Sequence, residues 1–466
     1  MLRYTRHPLV DVGAAAITAF ADKARPQDVT REDLENVAGF IEESYTKNPI
    51  KSFLTSLFPN SGYVNPTIKP EKVAAFMERY LYAFRDEGGL SDMRCAYCGR
   101  QANVQVYRQH VPLLTGEHTL NFYPTTPGLP VCGLCLLCIQ AFPLGAAKTG
   151  GRALIIHSDN EEITFHAAAN FLKDNLNYLQ LQDLTKYPNQ KFPRTIFVDQ
   201  VLKIVEQYLD GRWESPSVTL YHLTNRGTNP DISILHLPAE VMDFLRIANS
   251  ARFAEVWRKI VRRGWQQVEG ARAGVAQNFL YEDLFELPER AGRFIRIYFL
   301  RQGYSAPKRS KDDPRRTYAL ERELDLVSWK LTAMFLREVV GMERVRVDAI
   351  RKLGDRISAY VLASNDRKFF TNFYMSQGGY GPFRGLLIKA SNAEIKRGRP
   401  PLVGFDEFIT VFEDGEDLPR TDWRLARDLV LIRMIERLHE DGWMNANQDL
   451  VPEDTPEEMA TEAEGG

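Results

Sequence analysis

Cys95-Ala96-Tyr97-Cys98 and Cys132-Gly133-Leu134-Cys135-Leu136-Leu137-Cys138 hold every cysteine of the chain. Buried cysteines that merely pack behave as small apolar residues, with no reason to gather in paired CxxC segments. A redox dithiol needs one CxxC beside a βαβ unit, not two. Two knuckles of this spacing close a tetrahedron of thiolates around a metal ion at metal–sulfur distances of roughly 2.3 Å. Gly99, just after the first knuckle, and Gly133, inside the second, suit tight backbone turns. The expectation is one structural zinc ion per chain, Zn2+, held by Cys95, Cys98, Cys132 and Cys135. Four thiolates leave no open position on the metal, so this zinc is not catalytic. CxxC symmetry favours Cys135 over Cys138, which the neighbouring Leu136-Leu137 mark as packed.

Outward from the knuckles, the character of the sequence changes on both sides. Residues 1–92 read as a mainly helical segment, because apolar residues recur three and four apart in stretches such as Val73–Phe84. Residues 93–151, rich in Gly, Pro and Cys, read as an inserted zinc-ribbon-like module with little apolar surface of its own to bury. Residues 152–316 read as a mixed α/β region completing the N-terminal domain. There the runs ALIIH, RTIFVDQ, VTLYHL and ISILHL carry strand character, while Phe165–Leu172 and Asp199–Leu209 are helical. The charged loop Ser305–Arg316 is the expected domain boundary. Beyond it, residues 317–448 read as an all-α helical bundle resembling a separate small subunit, built on Leu324–Val340, Val347–Leu362 and Trp423–Leu438. In the last of these Leu425, Leu429, Ile432, Ile435 and Leu438 share a face that Arg424, Arg427 and Arg437 avoid. Thr421 or Asp422 is its expected N-cap and Gly442 its stop. Residues 449–466 are an acidic tail, expected to be disordered. The fold class is therefore α+β: a large mixed N-terminal region with the inserted module, then a C-terminal bundle.

Composition narrows the classes of function. A hydrophobic fraction of 44% and a charged fraction of 26% are those of an ordinary globular protein. No apolar run is long enough for a membrane span and the start of the chain has no signal-peptide pattern, so a cytoplasmic protein without a membrane partner is expected. The net charge of -2 excludes a polycation, but the tail contributes seven carboxylates and no base, so the rest is net positive.

No phosphate-binding GxxxxGK[ST], no HExxH and no GxGxxG opening a helix after a strand is present. Gly378-Gly379-Tyr380-Gly381 lacks a phosphate-binding lysine and reads as a loop. Between the knuckles, Gln109-His110-Val111-Pro112 and Asn121 superficially resemble an HNH nuclease finger, in which a histidine activates water and an asparagine orients it. The residue before His110 is not an acid and no histidine follows the second CxxC until His157, so the metal ligands of such a site are incomplete. An HNH-like metal-dependent endonuclease centred on His110 and Asn121 stays as the alternative.

Three basic patches suit phosphate contact. Ala251–Arg263 ends in Arg262 and Arg263 beside Trp265. The loop after it carries Lys308, Arg309, Lys311, Arg315 and Arg316. Around Ile388–Arg399 lie Arg384, Lys389, Lys396, Arg397 and Arg399. Taken singly, each is as easily a solvated face. The segment Tyr221–Pro230 reads as a turn whose Asn225, Arg226 and Asn229 could also contact a base edge or phosphate.

Thr5-Arg6-His7-Pro8-Leu9-Val10-Asp11-Val12-Gly13, the paired knuckles, the total length and the helical last third together resemble the CXXC–CXXC large subunit of type I-B CRISPR effector complexes (Cascade). The likeness spans essentially the whole chain. It implies a non-catalytic subunit that contacts the crRNA 5′ handle, reads the PAM in target duplex DNA and supports R-loop formation. Its partners would be crRNA, target duplex DNA and the other Cascade subunits (backbone, handle-binding and small). Cleavage would fall to a recruited helicase–nuclease, or integration to transposition proteins, with sequence read by guide pairing as in another effector class. By the same resemblance Asn225, Arg226 and Asn229 are candidates for PAM reading, and the Arg384–Arg399 bases for the guide backbone or the displaced strand. Members of this family often produce their small subunit by internal translation. Met342 is the expected start here, with Met334 second, because Glu338-Val339 can be encoded as a ribosome-binding sequence.

Overall fold

PLVDVGAAAITAF has no polar face, so a helix made of it must be wrapped on every side, and Pro8 suits its first turn. The computed structural model describes residues 1–65, 67–86, 88–90, 92–114, 128–180, 188, 190–207, 216–226, 230–267, 276–299, 328–376, 378–413, 419–447 and 450. In it α1 (Pro8–Phe20) buries Leu9 through Thr18. The helix α2 (Arg31–Tyr45) starts at a Thr30/Asp33 capping box, which satisfies two backbone donors reciprocally. It ends with the Tyr45 hydroxyl donating to the Gln140 carbonyl at 2.9 Å. That carbonyl belongs to α3 (Gly133–Ala141), the helix that grows out of the second knuckle. α1 packs on α3 and on α4 (Glu161–Gln180). Asn175 of α4 ties down the connection after α3, donating to the carbonyls of Leu144 and Ala146 at 2.7 and 2.9 Å.

Two antiparallel sheets accompany these helices. β1 (Val104–Val106) pairs with β2 (Leu129–Val131), bringing the knuckles side by side. A four-stranded sheet runs in the order β3 (Ala147–Thr149), β4 (Arg152–Ser158), β5 (Val218–Thr224) and β6 (Asp231–Leu237). Tyr221 faces Ile155 on one side and Ile234 on the other. ALIIH, VTLYHL and ISILHL are thus strands, whereas RTIFVDQ lies within α5 (Pro193–Gln207). Its β-branched content suggested a strand, but Pro193 starts a helix, and Phe197, Val201, Ile204 and Val205 recur at helical spacing and are buried.

The cysteine segment is no detached module. Cys95, Cys132, Cys135 and Cys138 belong to the same buried core as Val10, Ala14, Ile17 and Ile41. Expected to bury little, residues 93–151 contribute α3, of which every residue but Leu134 is buried. The run Leu136-Leu137-Cys138-Ile139 faces core on every side.

The chain divides into two compact units, Met1–Met242 and Asp243–Gly466, and the division falls within α6 (Ala239–Ala248). The boundary expected at 305–316 lies outside the described residues. In the second unit follow α7 (Ala254–Gly264), the pair β7 (Trp265–Gln267) and β8 (Ala276–Asn278), and α8 (Trp329–Glu338). Then come α9 (Arg344–Ser364), α10 (Arg367–Met375), α11 (Tyr380–Lys396), α12 (Phe405–Phe412), α13 (Trp423–Glu440) and α14 (Trp443–Ala446). Gly378-Gly379 leads into α11, which begins at Tyr380. α13 is central and packs on α8, α9, α12 and α14. Its expected solvent-facing Arg427 is fully buried, pairing with Asp428 and donating to the Phe373 and Tyr374 carbonyls at 3.3 and 3.1 Å. Asp422 is its N-cap residue, yet the carboxylate caps nothing and accepts instead from Arg346 at 2.6 and 2.8 Å. Gly442 adopts the left-handed conformation after the helix, with φ of 74°. Among the described residues no helix is long and apolar enough to cross a membrane.

Candidate functional site

The first knuckle is built by backbone hydrogen bonds. The Gly99 N–H donates to the Cys95 carbonyl at 3.0 Å and the Cys95 N–H to the Arg100 carbonyl at 2.7 Å. Gly99 turns the chain at φ of 73°, a region glycine enters without the Cβ penalty of other residues. The Ala96 N–H donates to the Pro130 carbonyl at 3.0 Å, so β2 and the first knuckle are fixed together. Cys132 is the N-cap residue of α3 and Cys135 sits in its first turn, where the helix dipole favours negative charge. Gly133 has another reason than a tight turn: a Cβ there would lie 2.3 Å from the backbone of Ala83 and Phe84.

The four sulfurs of Cys95, Cys98, Cys132 and Cys135 lie within 4.8 Å of one another, and those of Cys98 and Cys132 are 3.5 Å apart. Tetrahedral bonds of about 2.3 Å put sulfurs roughly 3.8 Å apart, so the cluster could hold a metal ion such as zinc with little rearrangement. Cys95, Cys132 and Cys135 are buried and Cys98 is half-buried. Without a cation the thiols share protons unequally. Cys132 and Cys135 donate to Cys95, which holds its thiol far below the usual range. The S–H of Cys135 donates to Cys132, but donation to Cys95 and burial push Cys132 up to about 12. Cys135 is raised further, by donating to Cys132 and to Cys95. A divalent cation bound here would take the four as thiolates by displacing their protons.

Cys138 is fully buried, and burial raises its thiol well above the usual value. It lies outside the four-sulfur group. Its backbone meets α1: a Cβ on Gly13 would stand 1.8 Å from the Cys138 carbonyl oxygen. The segment before α1 is pinned to the knuckle as well. Arg3 donates to the Cys98 carbonyl at 2.8 Å, and the His7 and Tyr97 rings lie 4.6 Å apart. Asp11, buried in the first turn of α1, accepts from the Thr5 N–H at 2.6 Å and pairs with His157 of β4 at 3.1 Å. Sequence reasoning missed these supports, because nothing in the spacing of Arg3 or His157 signals a partner remote in sequence. Beside them opens a cleft of about 260 Å³, lined among others by His7, Tyr97, Leu113, Tyr221 and Ile232.

His110 does not face this cluster as an open base. It is fully buried, its Nδ1 accepts the Tyr107 N–H at 3.0 Å, and the Tyr80 ring stacks on it at 3.7 Å. Burial, with Arg79 nearby, pushes its imidazole down to about 4. Asn121 lies outside the described residues.

Of the basic and amide candidates, the structure turns Asn225 inward. It is fully buried, its amide donates to the carbonyls of Leu57 and Arg108 at 3.1 and 3.0 Å, and its oxygen accepts from Arg108 at 3.3 Å. That amide locks two loops together and offers no edge to a base, a correction to its reading as a recognition residue. Arg226 beside it is exposed, and Asn229 lies outside the described residues, as do Lys308, Arg309, Lys311, Arg315 and Arg316. Arg262 is exposed on α7; for Arg263 only the backbone is described. Arg384, Lys389, Lys396, Arg397 and Arg399 are all exposed on or just after α11. Arg397 and Arg399 both pair with Glu394, at 2.9 and 3.4 Å. No family model, curated protein or solved structure matches the chain.

Proposed function

We propose that the chain is a non-catalytic, zinc-braced nucleic-acid-binding subunit of a type I-B CRISPR effector complex. In that role it contacts the crRNA 5′ handle, recognises the PAM in duplex DNA and supports R-loop formation. The observation that carries this reading is the union of its two most specific sequence features. The opening segment Thr5–Gly13 and α3, the helix that grows out of the second knuckle, meet backbone to backbone at Gly13 and Cys138. Zinc is the metal the donors favour: four soft thiolates in a tetrahedral set, with no position left for water or substrate. Its part is to hold the two knuckles, and through them the N-terminal segment, in one arrangement. The exposed bases of α11 and Arg226 supply salt-sensitive phosphate contacts. The burial of His110 weighs against the HNH-like alternative, since a general base needs access to water and a protonation equilibrium near the working pH.

Reconstitution with crRNA and the partner subunits tests this. The assembled complex is expected to bind a PAM-bearing duplex, and Arg226→Ala to weaken that binding while sparing assembly and binding to a pre-opened, PAM-less target. Equal loss on both targets removes Arg226 from PAM reading. Plasmid cleavage by the purified chain with magnesium or manganese, abolished by His110→Ala, would overturn the non-catalytic reading. The separate small subunit is part of the same proposal. Met342 lies just ahead of α9, so a product begun there would carry α9 to α14 whole. Met342→Leu combined with synonymous recoding of Glu338-Val339 should remove a short co-purified product, and its persistence would contradict this origin.

A further inference from the structure

α11 has a solvent face that phosphate contact alone does not explain. The helix buries Phe383, Leu387, Ala390 and Glu394, and opposite them stand two rows. Arg384, Ile388 and Ile395 form one, while Lys389 and Lys396, seven residues apart, form the other. Ile388 is 51% exposed and Ile395 54%. Phosphates reward the bases but not two isoleucines held in water. A surface that alternates apolar and basic groups fits a segment that alternates apolar and acidic ones. Among the described residues no ion pair engages Arg384, Lys389 or Lys396, whereas Glu394 already draws on Arg397 and Arg399.

We propose that this face of α11 is a docking surface for the acidic segment 449–466 of the same chain, which competes there with polyanions. The segment carries seven carboxylates with Leu450, Val451 and Met459 among them. It also starts close by. Trp443 of α14 donates to the Asn365 side chain at 2.8 Å and packs on Phe370 of α10 at 5.4 Å. Three residues along α10, Phe373 packs on Phe383 of α11 at 5.7 Å. A single helix, α10, therefore lies between α14 at the root of the acidic segment and the buried side of α11. Sixteen further residues can extend up to about 50 Å, twice the length of roughly 25 Å expected for α11. Tethering supplies the segment at an effective concentration in the millimolar range, so weak individual contacts suffice. The screening length of about 8–10 Å at physiological salt makes the contact sensitive to ionic strength.

The competition rests on the nucleic-acid reading of α11 given above; the docking does not. Two measurements on the full chain separate them. Carbodiimide coupling at low salt, read by peptide mass spectrometry on a mixture of unlabelled and 15N-labelled chains, is expected to join Lys389 or Lys396 to Glu453–Glu464 within one chain, and to fail at high salt. Absence of these links, or links only between chains, overturns the docking. A 30-nucleotide poly-dT probe is expected to bind about tenfold tighter to the variant E453Q/D454N/E457Q/E458Q/E462Q/E464Q than to the parent. Intrachain links without poly-dT binding by either protein retain the docking and sink the nucleic-acid reading of α11. Equal poly-dT binding by both, without links, does the reverse.

Discussion

Gly13 and His110 show what single residues contribute. At Gly13 there is no room for a methyl group, because the position it would fill is occupied by the backbone of Cys138. Gly13→Ala is therefore expected to force α1 and α3 apart and to cost about 3 kcal/mol or more, read as a lowered denaturation midpoint. Stability close to the parent would show that the two helices can slide. His110 is held neutral in the fold, down at about 4, while an unfolded histidine titrates near 6.5. Between those values the unfolded chain binds the extra proton, so this residue's contribution is full above pH 6.5 and is lost as pH falls toward 4. His110→Phe should keep the stacking with Tyr80 and remove about 2 kcal/mol of the stability loss between pH 7 and pH 5. An unchanged acid limb would mean that His110 is not the group responsible. The cysteine spacing made the four-sulfur cluster readable, since CxxC is a local pattern. Asn225 was misread because its partners, Leu57 and Arg108, are remote in sequence.

Among the elements, the reading succeeded where periodicity and burial agree. VTLYHL, with Val218 and Leu220 buried two residues apart, pairs as the strand β5, and the apolar stripe of α13 lies in the core. It failed where a short window of sequence conceals what packs against it. RTIFVDQ looked like a strand because its β-branched residues hid a helical spacing that only α5 as a whole reveals. Arg427 looked like a solvent residue because nothing in its helix announced that neighbours cover both faces. That burial carries its own consequence. Asp428, with no exposure, balances Arg427, and Arg296 lies 3.6 Å from its carboxylate. Asp428→Ala should leave a buried guanidinium without a counter-charge and destabilise the second unit by about 3–5 kcal/mol. Glu440→Ala, which removes the exposed partner of Arg437, should cost less than about 1 kcal/mol. Comparable effects from the two would show that Arg427 finds compensation elsewhere.

At the scale of the whole molecule, an α+β first unit and a largely helical second unit were readable, but the placing of the cysteine cluster inside the first unit's core was not. A short Gly- and Pro-rich segment looks self-contained in sequence, yet α3 needs α1, α2 and the turns at Met77–Leu81 and Ala83–Arg85 to cover it. Within that unit the cysteine cluster thus brings together chain segments far apart in sequence, from Arg3 to Cys135. Its removal is expected to loosen that unit rather than to abolish a chemical step. The deciding measurement is metal content by elemental analysis of the purified chain beside Cys132→Ser and Cys138→Ser. One zinc per chain in the parent and in Cys138→Ser, with near-total loss in Cys132→Ser, is the expected result. A parent without zinc, or loss of the metal in Cys138→Ser, would contradict the four-thiolate brace.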